Sequence, residues 1–216
     1  MSELQATRAH GASEAAIFVV SYVEVLPPSM SDAAALLRQY REVSHMDAGQ
    51  RRLEVLQQRG RPGHFAIVEQ WQDQQAFEAH ATAAHTRHVR ERLRPLCASP
   101  YEERLHHGYA LGATLTLSPT GATYVVTHAD AVPPAKDDAL ALLQQLAEVS
   151  RTESGNVRFE VLQQSNRPNH LTVMEIWRDQ EALDTHVMAA HTRHFREQFQ
   201  PLSGSLYDER LYRALD

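Results

Sequence analysis

This chain has one lysine, one cysteine, two tryptophans and no long apolar run. Lys136 is the only lysine, no Lys/Arg cluster stands out, and the net charge is −6 with a pI near 6.1. A nucleic-acid surface needs a basic face, so that class of partner is excluded. A lone Cys97 cannot close an internal disulfide, which fits a reducing compartment. No stretch approaches the roughly 20 apolar residues of a membrane-crossing helix. Residues 1–15 are polar and lack the apolar centre of a signal peptide, so they read as a mobile tail and residence as cytoplasmic. Also missing are a glycine-rich phosphate loop, a serine nucleophile elbow and a cysteine-pair metal motif. Flavin, NAD and ATP therefore have no recognised binding device here.

What is present is a repeat. The stretch from His64 through Trp71 to His88 returns from His170 through Trp177 to His194, 106 positions on (177 − 71). The match runs without a gap from Pro27/Pro133 to Leu105/Leu211, with roughly half the aligned residues identical. Solenoid repeats are about 20–50 residues, so a period this long is a duplicated domain. The expected division is a tail over 1–15, one domain over 16–106, a linker over 107–122 and a second domain over 123–213. Ser203 stands where the first copy has Cys97, which argues against thiol chemistry shared by both.

Each copy reads β-α-β-β-α-β. Ile17–Val25 and Thr123–Ala131 have strand character and are stopped by Pro27-Pro28 and Pro133-Pro134. A helix over Ser31–Met46 carries Leu36, Tyr40 and Val43 at i, i+4, i+7. Arg52–Gln58 and His64–Trp71 form a hairpin, and an N-cap at Asp73 opens a second helix running to Leu93. Tyr101–Leu105 is a short last strand, and Ala113–Leu117 could add another. With right-handed crossovers this order gives an α+β fold: a ferredoxin-like antiparallel sheet with both helices on one face. Two such domains can cover each other's bare sheet face, so an intramolecular dimeric α/β barrel is expected.

Candidate chemistry sits on the second helix and the strand before it. At 100° per residue, His80 and His88 share a stripe with Phe77, with His85 at its edge. They suit hydrogen-bonded core positions, or a pocket base with a near-neutral pKa. A metal site is disfavoured, because no carboxylate or third ligand is evident beside them in both copies. Trp71 and Trp177 suit core packing, or an indole N–H aimed at a flat ligand. Glu69/Glu175 and Glu54/Glu160 are expected to pair with Arg52/Arg158 or Arg104/Arg210 across the sheet.

Taken together, Arg52-Leu-Glu54-Val-Leu-Gln57, then His64, Glu69, Trp71, Asp73, Phe77, His80 and His85, resemble the antibiotic biosynthesis monooxygenase (ABM) family, its quinol-monooxygenase-like branch above all. The resemblance covers about residues 17–106 and 123–212. It implies oxygenation of a small quinol or anthrone-like aromatic with O2 as co-substrate and no metal, haem or flavin. It implies His85/His191 and Trp71/Trp177 as catalytic, with His80/His186 also candidates for the base. His80/His186, Tyr22 and His128 would then contact substrate, strand parity being open for the last two. Haem-degrading relatives use an asparagine on the first strand, and none lies in Phe18–Val25 or Tyr124–Ala131. A non-catalytic small-molecule-binding barrel and isomerase-type proton transfer in the same pocket remain as alternatives, and exposed edges leave room for a homodimer.

Overall fold

The computed structural model describes residues 16–113 and 118–215. The chain divides into two units. One holds the residues through His107 together with the C-terminal segment from Ala214, and the other spans Gly108–Arg213.

In the first unit the order is β1 (Ile17–Glu24), α1 (Met30–Ser44), β2 (Gln50–Gln58), β3 (His64–Trp71), α2 (Gln74–Ala81), α3 (Ala84–Leu93) and β4 (Glu102–Ala110). β1 pairs antiparallel with both β3 and β4, and β2 pairs with β3, giving β4-β1-β3-β2. The second unit repeats this with β5 (Thr123–His128), α4 (Lys136–Ser150), β6 (Asn156–Gln164), β7 (Leu171–Trp177), α5 (Gln180–Met188), α6 (Ala190–Phe199) and β8 (Asp208–Ala214). Its strand order is β8-β5-β7-β6. Each unit is ferredoxin-like, and the class is α+β.

Strand alternation sorts the residues. Val23, Val55, Phe65 and Ile67 pack against Leu36, Leu37 and Tyr40 of α1 and Val89 and Leu93 of α3. Residues of the opposite parity, Phe18, Val20, Leu56, Ala66 and Val68, are fully buried as well. Both faces of the sheet are therefore apolar and covered, unlike a sheet with one wet face. Val43, expected on the apolar stripe of α1, is exposed, and Ser44 takes the inward position of that last turn.

The helix expected over 73–93 is two helices. Thr82 Oγ1 donates to the Glu78 carbonyl, and Ala83 is extended at φ −63, ψ 150. The extended residue restarts the chain in a new direction. Ala189, at φ −65, ψ 147, breaks the second copy at the same place although Met188 stands where Thr82 is, so the extended alanine and not the hydroxyl is what the two copies share.

The last strand also exceeds its expected Tyr101–Leu105 span, since β4 runs to Ala110. Its last three residues belong to the second unit, where Ala110 O accepts from Arg151 Nη2 at 2.7 Å. Leu215 N donates to Val55 O at 2.8 Å, and Leu215 is buried in the first unit's core. The expected tail over 1–15 and most of the extra strand over Ala113–Leu117 lie outside the described residues, and Ala113 is in no regular element.

Candidate functional site

Asp73 sets the position of α2. Its extended backbone ends β3, and its Oδ1 accepts from Ala76 N at 2.9 Å, satisfying one of the free donors of the first turn. Two turns later α2 delivers His80, buried at 2% exposure. Its ring stacks on Trp71 with centroids 4.4 Å apart.

Around that pair lies a chain of polar groups. The Trp71 indole N–H donates to Glu69 Oε2 at 2.7 Å. The Tyr40 hydroxyl lies 3.3 Å from Glu69 Oε1 and 2.6 Å from His80 Nε2. His80 Nδ1 is 2.6 Å from Asp47 Oδ2, and His85 Nε2 is 2.9 Å from the same oxygen. The break at Thr82–Ala83 is what turns His85 back to share that carboxylate. The network begins at a buried acid and ends at partly exposed Asp47 and His85, with side chains 20% and 24% exposed.

Burial dominates the electrostatics. It pushes the Glu69 carboxyl up to about 7, against the lowering pull of the Trp71 N–H. It holds His80 below the usual imidazole range, although Asp47 pulls the other way. A neutral His80 donates Nδ1–H to Asp47 and leaves Nε2 to accept from Tyr40. Tyr40 has one proton for two acceptors. With the proton on Glu69 it donates to His80; with Glu69 ionised it can donate to Glu69 while an imidazolium donates to its oxygen. The two states differ by one proton moved between Glu69 and His80.

The second unit keeps most of this. Trp177 N–H donates to Glu175 Oε2 at 2.8 Å and stacks on His186 at 4.6 Å. Glu153 Oε1 bridges His186 Nδ1 at 2.7 Å and His191 Nε2 at 2.9 Å. Burial pushes Glu175 up to about 8. Leu146 stands at the position of Tyr40, so no tyrosine hydroxyl joins His186 to Glu175, although the facing atoms are 3.9 Å apart here and 3.7 Å apart in the first unit.

The triads Asp47/His80/His85 and Glu153/His186/His191 overturn the expectation that no carboxylate accompanies the histidines. Their donor atoms lie within 4.8 Å of one another, a set two imidazoles and a carboxylate could offer a divalent ion. In both copies one oxygen is already shared by the two imidazole nitrogens. The missed signal was an acid at matching repeat positions, 47 and 153, two residues before Gly49 and Gly155.

A cavity of about 500 Å³ opens in the first unit, lined by Arg90, Leu93, Arg94, Cys97, Ala98, Ser99, Pro100 and Tyr101. That is the size of a small-molecule pocket. Burial raises Tyr101 above the usual phenol range, and the charge of Glu69 adds to it. Arg90 pulls Tyr40, Glu69 and Tyr101 the other way, which puts its guanidinium within Coulombic reach of all three. Arg90 and Tyr101 of the cavity wall are thus coupled electrostatically to the buried network, whose own residues do not line the cavity. Burial pushes the Cys97 thiol up, away from thiolate chemistry.

Residues 16–92 and 123–198 each match the antibiotic biosynthesis monooxygenase family model. The chain belongs to the ABM family. Among solved structures, a "putative monooxygenase" of Fusobacterium nucleatum is similar with a TM-score of 0.85 at 14% identity, covering 94% of this chain and 93% of that one. One of the same description from Lactobacillus acidophilus has a TM-score of 0.78 at 13% identity, over 94% and 95%. An anthrone oxidase-like protein has 0.72 at 13% identity, over 94% and 92%. These are likenesses of fold. An uncharacterized protein of Synechocystis is 27% identical over 84 residues, and the match spans 39% of this chain and 57% of that protein.

In this ABM protein the structure brings His80, His85 and Trp71 together, and likewise His186, His191 and Trp177. It keeps Tyr22 and His128 apart from them. Trp71 pairs with Ile17 and Trp177 with Thr123, so Tyr22 and His128, five residues along, point to the other face of the sheet. The same parity corrects the expected partners of Glu69 and Glu175. Arg52 is registered with Gln70, not Glu69, and its ion-pair contact is with Glu54 at 3.7 Å. The indole N–H of each tryptophan is directed at a glutamate. Among the described residues no helix is long and apolar enough to cross a membrane.

Proposed function

We propose that the first unit is an oxygenase for a small electron-rich phenol, of the quinol or anthrone kind, working with O2 and no metal or organic cofactor. What supports this is a cavity of about 500 Å³ lined by Arg90 and Tyr101, together with a buried carboxylate, Glu69, that lies within Coulombic reach of both and is pushed up by burial to about 7. A base poised near neutrality is what abstraction of a phenolic or activated methylene proton requires. Glu69 takes that proton, Tyr40 passes it to His80, and Asp47 and His85 release it to solvent. The Arg90 guanidinium stabilises the oxyanion that remains. That anion is electron-rich enough to reduce O2 directly inside a dry pocket. For an anthrone-type substrate the methylene carbon loses two hydrogens and gains one oxygen, the other oxygen leaves as water, and no external reductant is needed. In this reading Trp71 keeps Glu69 oriented rather than touching substrate. The second unit, with Leu146 in place of Tyr40, lacks the inner step of the relay.

The test is O2 uptake by the full chain, in metal-free buffer, with a panel of hydroquinones and anthrones. Consumption with at least one of them, reduced about 100-fold or more in Glu69→Gln with KM little changed, is the expected result. Ligand-induced shifts in Tm without O2 uptake would instead identify a binding protein.

A further inference from the structure

We propose that the cavity of the first unit selects aromatic ligands bearing an anionic oxygen, a carboxylate or an ionised phenol, and that Arg94 makes the selection. This rests on reading that cavity as the ligand site. Its walls supply two guanidiniums and no acid. Arg90 is compensated, with Nη2 2.5 Å from Glu103 Oε2. Arg94 is exposed, and among the described residues no carboxylate comes within ion-pair distance of it. The cavity mouth is therefore a point of uncompensated positive charge on a chain whose net charge is −6. Leu93, Pro100 and the Tyr101 ring supply apolar wall for a flat ring, and a planar guanidinium matches a carboxylate in two-point geometry.

A plainer role for Arg94 would be to offset the helix dipole at the end of α3. The second unit argues otherwise. Gln200 stands at the same place after α6, a helix of the same length, 10 residues, which forms with Arg196 as the basic residue of its last turn and no arginine at its end. The residues around Gln200 have changed too: Phe199 replaces Leu93 and packs its ring on Phe195 and Tyr207, at 5.3 and 6.1 Å. The arginine stands where Leu93 lines the cavity and is replaced by glutamine where Phe199 packs on aromatic rings.

The experiment is equilibrium titration of the full chain, under anaerobic conditions so that no turnover intervenes, with 2-naphthoate and with its methyl ester. Wild type is expected to bind the acid about 5- to 10-fold more tightly than the ester. In Arg94→Gln, which copies the second unit's residue, the two should bind within about two-fold of each other, with ester affinity unchanged. Equal affinities in wild type, or an acid preference that survives Arg94→Gln, would overturn the selection while leaving the pocket as a ligand site. Binding of neither compound by wild type would remove the pocket reading and the selection with it.

Discussion

Tyr40 holds its hydroxyl 2.6 Å from His80 Nε2, and the residue that replaces it in the second copy, Leu146, cannot. Two units built on one pattern therefore differ in whether a hydroxyl bridges the buried carboxylate and the imidazole, which lie 3.7 Å and 3.9 Å apart in the two. The difference is a single side chain on the inward face of the first helix.

Tyr40→Phe removes the joining hydroxyl and leaves the packing. Turnover of a phenolic substrate should fall about 10- to 100-fold in kcat with KM nearly unchanged, the signature of a lost proton-transfer step. An unchanged kcat and pH profile would mean that Tyr40 only packs.

Glu69 and Glu175 impose a pH dependence on stability. The folded-state value of Glu69, about 7, lies above the ordinary 4.5, so the folded chain holds that proton more tightly than the unfolded one. The stability it confers is complete below the ordinary carboxylate range and lost as pH rises through about 7, or through about 8 for Glu175. The loss at Glu69 is on the order of 3 kcal/mol. Chemical denaturation at pH 5 and pH 9 should therefore show Glu69→Gln/Glu175→Gln losing less stability than wild type over that interval. Parallel losses in both proteins would contradict the burial argument.

Gly49 has φ +80, and a Cβ there would come 2.5 Å from the Ala76 Cβ. Gly60 has φ +76 with open space around it. Gly60→Ala should cost about 1 kcal/mol of backbone strain, while Gly49→Ala should cost more than about 2 kcal/mol because α2 must also move. Denaturation midpoints of the two variants measure the close approach by their difference; similar costs would show that α2 yields freely.

Dialysis against EDTA should leave O2 uptake unchanged, because the proposed steps run through Glu69, Tyr40 and Arg90 and use no ion. A loss of activity restored by a divalent ion would instead make Asp47, His80 and His85 a metal centre.

The repeat, the βαββαβ order and the family pattern were all legible in the sequence, because strand and helix periodicity and a 106-residue offset are properties of neighbouring residues and of identity. The places of Trp71 and His80 on consecutive elements were legible too, but their stacking was not. Legible but unread were Asp47 and Glu153, acids at matching positions in a turn, where local pattern carries no information about the partner. The helix break at Thr82–Ala83 was hidden in an alanine-rich run that favours helix throughout. Parity of Tyr22 and His128, and the direction of Glu69, needed the register of β1 on β3, since one residue of slip exchanges the faces of a strand. Residue types and their order were enough to determine the fold of each copy and the inventory of its site. Which of those groups share a proton was decided only in three dimensions, because hydrogen bonds of 2.6–2.9 Å join residues 33–40 positions apart and depend on packing that no local pattern encodes.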